Sequence, residues 1–246
     1  MKKIVVWNLK GGVGKSTASV NIAYNLSQKK KVLVIDLDPQ NNVTPFFVKG
    51  RKVTETIQDV LADPNRAVRS IYRSKYKNLD IIKGSQKLTD SSCESLTSLR
   101  DALVKIQEKK EYDYVVIDCR TSCEALTLSA LSIADIVITP VLLDGFCRDN
   151  LAEVQTIMHT VEEINPNMIW KLFVNRFKDT RAQTTILRDL FTKYDYPFMV
   201  SLVLERAAVQ TALTLRKPLA KHASNNDATA NYEELCKELE EIPNEQ

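Results

Sequence analysis

Short β-branched runs and stretches with helical spacing alternate along this chain. Ile4–Trp7, Val32–Asp36, Leu79–Lys83, Tyr114–Asp118, Ile136–Val141 and Trp170–Asn175 read as strands, and Phe198–Val203 as a further one. Several are continuously apolar rather than alternating, the pattern of strands covered on both faces. Between them, Ala18, Ile22, Ala23 and Leu26 form one helical stripe, and Leu96, Leu99, Leu103 and Ile106 a second. Leu151, Val154, Ile157, Met158 and Val161 form a third. This alternation predicts an α/β fold, a mostly parallel central sheet with helices on both faces. Functional residues then belong at the carboxyl ends of the strands. A last helix, about 228–241, is acidic outside and carries Tyr232, Leu235 and Leu239 on one face, as a packing helix would.

The chain shows no repeat, low-complexity tract or Pro/Gly-rich linker, so residues 1–246 are expected to form one domain. Five cysteines, an odd number without a CxxC pair, and two histidines exclude a zinc-site spacing and predict reduced, mostly buried thiols. No apolar run approaches a bilayer-spanning length and no signal-peptide core opens the chain, so a cytoplasmic protein is expected. Net charge is only +3, but its distribution is uneven. From Lys171 to Lys221 there are ten Lys/Arg against four Asp/Glu, and from Asp227 to Gln246 seven acids against one lysine. The basic segment predicts an anionic partner.

The candidate chemistry starts directly after the first strand, at Lys10-Gly11-Gly12-Val13-Gly14-Lys15-Ser16-Thr17. Glycines let the backbone turn and aim successive N–H groups at phosphate oxygens, and a helix starting near Gly14 adds further free N–H groups. Lys15 is placed to reach the β- and γ-phosphates, and the Ser16 hydroxyl to bind Mg²⁺. The plain phosphate-loop pattern wants glycine where Leu9 stands; this chain instead has a second lysine, Lys10, at the loop entrance.

Two further strands end in carboxylates. Asp36-Leu37-Asp38-Pro39-Gln40 places two acids at i and i+2, on one side if the extended conformation persists. One could order magnesium-bound water and the other an attacking water. Tyr114-Val115-Val116-Ile117-Asp118 is an apolar strand ending in an acid, which predicts Asp118 opposite Ser16 at the magnesium.

With these elements the chain resembles the ParA/MinD family of deviant Walker ATPases, and more closely its ParA branch, over nearly its whole length. The resemblance continues through Ala134–Val141, Val174-Asn175-Arg176 and Arg216-Lys217-Pro218-Leu219. It implies a P-loop fold, ATP and Mg²⁺, and hydrolysis of ATP. Lys10 would be the signature lysine that crosses into a partner's site in an ATP-bound homodimer. Asp38 would be the carboxylate needed for hydrolysis, Asp36 a magnesium-side helper, and Asn175 a neighbour of adenine. The resemblance also implies nonspecific binding of double-stranded DNA on the nucleoid, and release by a ParB-type centromere-binding partner or another activator. Candidates for the DNA contact are Arg176, Lys178, Arg181, Arg188, Arg206, Arg216, Lys217 and Lys221.

Two departures stand out. Where the family has a proline pair after the Asp118 position, this chain has Cys119-Arg120-Thr121-Ser122, so Arg120 could add a cation or reach an acid across an interface, tuning hydrolysis or dimerisation. The helix-turn-helix of the larger ParA branch has no counterpart before the first strand, so sequence-specific operator binding is not expected. Positioning of a protein assembly rather than DNA fits the same motifs. A MinD-like membrane cycle would need a basic amphipathic C-terminal helix, whereas residues 233–241 are acidic and no membrane contact is expected. An iron–sulfur carrier would need differently placed cysteines, and a metabolic kinase or ligase a substrate pocket that no motif marks.

Overall fold

The computed structural model describes residues 1–48, 55–93 and 95–243; Glu245 of the acidic segment lies outside them. Eight strands form one sheet: β1 (Lys2–Val6), β2 (Val32–Leu37), β3 (Ile71–Arg73), β4 (Leu79–Ile82), β5 (Tyr114–Cys119), β6 (Ile136–Val141), β7 (Ile169–Phe177) and β8 (Phe198–Leu204). Their order is β3-β4-β2-β5-β1-β6-β7-β8, and every pairing is parallel except β3 with β4. The helices are α1 (Lys15–Leu26), α2 (Thr44–Phe47), α3 (Ile57–Ala62), α4 (Ser98–Lys109), α5 (Ala125–Leu131), α6 (Cys147–Ile164), α7 (Arg181–Lys193), α8 (Ala207–Thr214), α9 (Leu219–His222) and α10 (Asp227–Glu241).

The sheet separates two apolar layers. Alternate residues of β1 illustrate it: Val5 joins the layer of α3, α4, α5, α6 and α7, whereas Ile4 and Val6 join that of α1, α2, α8, α9 and α10. Every residue of β2, β5 and β6 is buried, which is why these strands are apolar without alternation. Tyr232, Leu235 and Leu239 of α10 pack in the second layer, as the periodicity predicts. Leu96 does not join its predicted stripe. It precedes α4 and is 46% exposed, because the helix starts only at Ser98.

The outer strand β8 is managed by a side chain from α10. Both carboxylate oxygens of Glu238 accept backbone N–H groups, from Val200 at 2.8 Å and Ser201 at 2.9 Å. All five cysteines are free, four of them buried. No helix among the described residues is long and apolar enough to cross a membrane.

The central strands carry the stability. Ile117 is fully buried on β5, so Ile117→Ala should cost about 2–5 kcal/mol through lost burial and a residual cavity. Val200, 94% exposed, should tolerate alanine within about 0.5 kcal/mol. Denaturant midpoints of the two variants check the contrast.

Candidate functional site

The loop after β1 turns sharply enough to need its glycines. Gly12 has φ +75° and Gly14 φ +96°, both in the left-handed region. A Cβ on Gly14 would also stand 2.3 Å from the Asn175 amide nitrogen. α1 then begins with Gly14 as its N-cap, with no side-chain cap and no acid in its first turn. α7 and α10, by contrast, are capped by the side chains of Thr180 and Asn226. The first-turn N–H groups of α1 are therefore left for an anion.

Lys15 is buried, and its Nζ donates to the Lys10 carbonyl at 3.1 Å, curling the side chain over the loop. Burial lowers its ammonium below the ordinary value, opposed by the nearby Asp118 and Asp38. Lys10 points elsewhere. Its ammonium pairs with Asp144 at 2.5 Å and lies 5.7 Å from the ring centre of Phe146, itself 72% exposed. It does not fold back over the loop that it precedes.

Beneath the loop, Asp118 joins β5 to α1. One oxygen accepts from Ser16 Oγ at 2.7 Å, the other from Ser19 Oγ at 2.6 Å. Burial pushes its carboxyl up to about 7, the neighbouring Asp36 adds to this, and the two serines oppose it. Ser19 was not anticipated; its signal is a polar residue three positions after Ser16, amid an apolar helix.

Asp36 and Asp38 part company. β2 ends at Leu37, so the alternation does not carry through to Asp38. Asp36 sits fully buried in register with Asp118, and Thr44 donates to its Oδ2 through both N–H, at 2.8 Å, and hydroxyl, at 2.7 Å. Thr44 Oγ1 in turn accepts from Gly84 N–H at 3.0 Å. Asp36 thus ties the loop after β2 to the chain after β4 rather than facing the cleft. Its Oδ1 has no hydrogen-bond partner among the described residues, and burial lifts the carboxyl to about 6. Asp38 lines the cleft, with Oδ1 accepting from Gln40 N–H at 2.8 Å.

Asn175 lines the same cleft, and its Nδ2 donates to the Val13 carbonyl at 2.7 Å, so its amide also buttresses the phosphate loop. Arg176 follows in a left-handed conformation, φ +54°, where the β7–β8 register shifts.

The cleft above these residues holds about 1350 Å³. Gly12, Gly14, Lys15, Ser16 and Thr17 form one wall, while Gly11 has open space around it. Six cations line the cleft, Lys15, Arg120, Arg176, Lys178, Arg206 and Arg216, against two acids, Asp38 and Glu205. Phe46, Val203, Leu204, Val209 and Leu213 give it an apolar side. The donor set fits a magnesium nucleotide: free backbone N–H groups and excess positive charge for phosphates, and a serine hydroxyl beside a buried carboxylate for the ion. No cluster of three or more His, Cys, Asp or Glu able to hold a metal occurs among the described residues. A magnesium ion here would rely on Ser16 and the nucleotide's own oxygens.

The eight cations proposed for DNA do not form one patch. Arg176, Lys178, Arg206 and Arg216 open on the nucleotide cleft. Glu205 engages Arg176 at 3.7 Å and Lys178 at 3.1 Å, and Asp227 engages Arg206 at 2.7 Å. Arg181 and Arg188 are exposed on α7, on one face of the sheet; Lys217 and Lys221 are exposed beside and on α9, on the other. Arg120 meets an acid of its own chain. Its Nη1 lies 2.7 Å from Asp90 Oδ2, while Asp90 Oδ1 accepts from Leu126 N–H. An ion pair thereby fastens the loop after β5, where a proline pair would stiffen it.

The buried acids have a measurable signature. A carboxyl raised from 3.8 to about 7 on folding stabilises the protein at low pH, and that contribution is lost as pH rises through the folded value. Nucleotide-free protein should therefore lose about 2–4 kcal/mol between about pH 5 and about pH 8, Asp36 adding in the same direction. Thermal melts of Asp118→Asn should show most of this slope removed; an unaltered slope would dismiss Asp118 as its source.

Comparison with known proteins agrees with this geometry. The AAA domain family model matches residues 1–172. The sporulation initiation inhibitor protein Soj of Bacillus subtilis is 28% identical, over 97% of this chain and 98% of that protein. A putative plasmid partition protein of Borrelia burgdorferi, solved with AMPPNP, superposes with a TM-score of 0.83 at 26% identity, covering 98% of this chain and 99% of that one. Apo McdA of Cyanothece shares the fold, with a TM-score of 0.85 at 21% identity over 97% of this chain and 99% of that one. Matched across so much of its length, this chain belongs to the AAA domain family, within the ParA and MinD group of P-loop NTPases.

Proposed function

We propose that residues 1–246 act as one ATPase domain of the partition type, switching between states according to whether ATP or ADP is bound. The observation that carries this is the cleft of six cations and two acids, closed at one end by left-handed glycines and an uncapped helix start. Gly12, Gly14 and the first turn of α1 would donate N–H groups to the phosphates, with Thr17 beside them. Lys15 would neutralise the β- and γ-phosphates. Ser16, backed by Asp118, would hold magnesium, which supplies charge neutralisation on the phosphate oxygens. Asp38, on the cleft and free of ion pairs among the described residues, is the group to orient an attacking water.

Lys10 gives the switch its second half. Its ammonium is turned out onto Asp144 and the exposed Phe146, away from its own loop. In an ATP-bound homodimer it would leave Asp144 to stabilise charge in the partner's site. The dimer would hold nonspecific duplex DNA through Arg181, Arg188, Lys217 and Lys221, and a ParB-type or other activating partner would trigger hydrolysis and release. The partition names of the relatives support this cargo class; a protein assembly as cargo is the alternative, since the same motifs would serve it. A MinD-like membrane cycle is disfavoured because α10 spends its apolar face on the core.

ATP turnover and duplex retention test the reading together. ATP should raise DNA retention over the nucleotide-free protein and ADP should not. Asp38→Ala should keep the ATP-dependent increment while turnover falls about 100-fold or more. Lys10→Ala should lose both dimer and increment. Absence of any ATP-dependent increment in the native protein would refute the switch. Arg120→Pro, which removes the Asp90 pair, should alter turnover; an unchanged rate would deny that pair a part in hydrolysis.

A further inference from the structure

The end of the sheet opposite the nucleotide cleft carries a second concentration of positive charge. The order β4-β2-β5 sets three turns side by side at the N-terminal ends of these strands. The turn before β2 contributes Lys30 and Lys31, the end of β3 and the turn after it Arg73 and Lys77, and the end of α4 and the turn after it Lys109 and Lys110. Lys31, Arg73, Lys77 and Lys110 line a cleft of about 670 Å³ between these turns, with Tyr76 and Tyr112.

The turns are laced into one surface. Val32 N–H donates to Asn78 O at 2.8 Å, Asp113 N–H to Lys31 O at 2.8 Å, and Lys31 N–H to Asp113 Oδ2 at 2.7 Å. Asn78 adopts a left-handed φ of +57° and also donates to Ser27 O at 3.3 Å. Of the local acids, Asp113 accepts a backbone N–H and Asp80 accepts the Tyr112 hydroxyl at 2.6 Å. Glu111 stands 3.6 Å from Lys31, both side chains largely in solvent, so that pair neutralises little. Lys30, Arg73, Lys77, Lys109 and Lys110 have no ion-pair partner among the described residues.

We infer that this pole is a second, nucleotide-independent binding surface for the phosphate backbone of duplex nucleic acid. Neighbouring strands lie about 4.8 Å apart, so the three turns spread unpaired cations over about 10 Å, wide enough to meet several phosphates. None of the exposed large apolar side chains lies on these turns, so nothing would anchor in lipid. Tyr76 is engaged edge-on with Tyr24 and Phe47, and Tyr112 is tied to Asp80; both are half-buried, which leaves no exposed aromatic anchor of the kind a folded protein partner uses. What remains is charge without apolar grip, the chemistry of sequence-independent backbone contact. The pole shares no residue with the nucleotide cleft and lies at the other end of β2 and β5, so closure over a nucleotide leaves it open.

The test uses the full, nucleotide-free chain and a fluorescent duplex of about 30 base pairs, with anisotropy read from about 50 to 200 mM salt. Lys30→Glu/Lys77→Glu/Lys110→Glu should bind at least about tenfold more weakly than native, with a log–log salt slope shallower by about 2.7. Its ATP turnover and melting temperature should stay native, showing that it folds. Arg181→Glu/Arg188→Glu should leave the nucleotide-free slope intact. An unchanged slope in the triple variant, or no duplex binding by the native chain, would overturn the inference. Equal competition by polyglutamate or by phosphatidylglycerol vesicles would overturn the assignment to nucleic acid. Loss of only the ATP-dependent increment would sink the switch and leave this surface standing.

Discussion

One buried carboxylate holds the working end of the molecule together. Asp118 stands one residue before the end of a strand buried on both faces, and its two oxygens take the hydroxyls of Ser16 and Ser19 in the first turns of α1. The helix start is thereby clamped to the sheet at the point where it must present free N–H groups. Asn175 adds a second brace from β7 through the Val13 carbonyl. The loop between these braces can then afford its left-handed glycines without collapsing onto its own backbone. The arrangement stores unfavourable charge: Asp118 and Asp36 lie in register on adjacent strands, both lifted by burial. A cation or proton near Ser16 relieves that strain.

Much of this was readable from the chain because the informative residues are local. Each of the seven strands read from β-branched runs has a counterpart in the sheet, and glycines followed by Lys-Ser imply a strand–turn–helix wherever they stand. The eighth strand, Ile71–Arg73, was not legible: it is three residues long, half-buried, and made by antiparallel pairing at an edge. Asp36 and Asp38 separate because two acids at i and i+2 share a side only while the strand continues, and β2 stops between them. The roles of Thr44, Ser19 and Asn175 depend on contacts spanning 8, 99 and 162 positions. No period or spacing in a single sequence records such contacts.

Charge was legible in sum but not in place. The segment from Lys171 to Lys221 is basic, yet folding sends its cations to the nucleotide cleft and to two opposite helical layers, and pairs three of them with Glu205 and Asp227. Three turns far apart in sequence instead converge at the other end of the sheet, where Asp113 holds a backbone N–H, Asp80 holds a tyrosine hydroxyl, and most of the lysines stay exposed. Arg120 makes the same point in miniature. Read alone it is a free cation, whereas the fold hands it Asp90.

Glu238 bears on how copies of this protein can associate. By occupying the amides of Val200 and Ser201, it blunts the long exposed flank of the sheet, while the opposite flank is only three residues of β3. Neither rim offers a template for recruiting a neighbour's backbone into a continuous ribbon. Assembly is therefore steered away from runaway fibre growth and toward encounters between side-chain surfaces, which can be undone as readily as they are made.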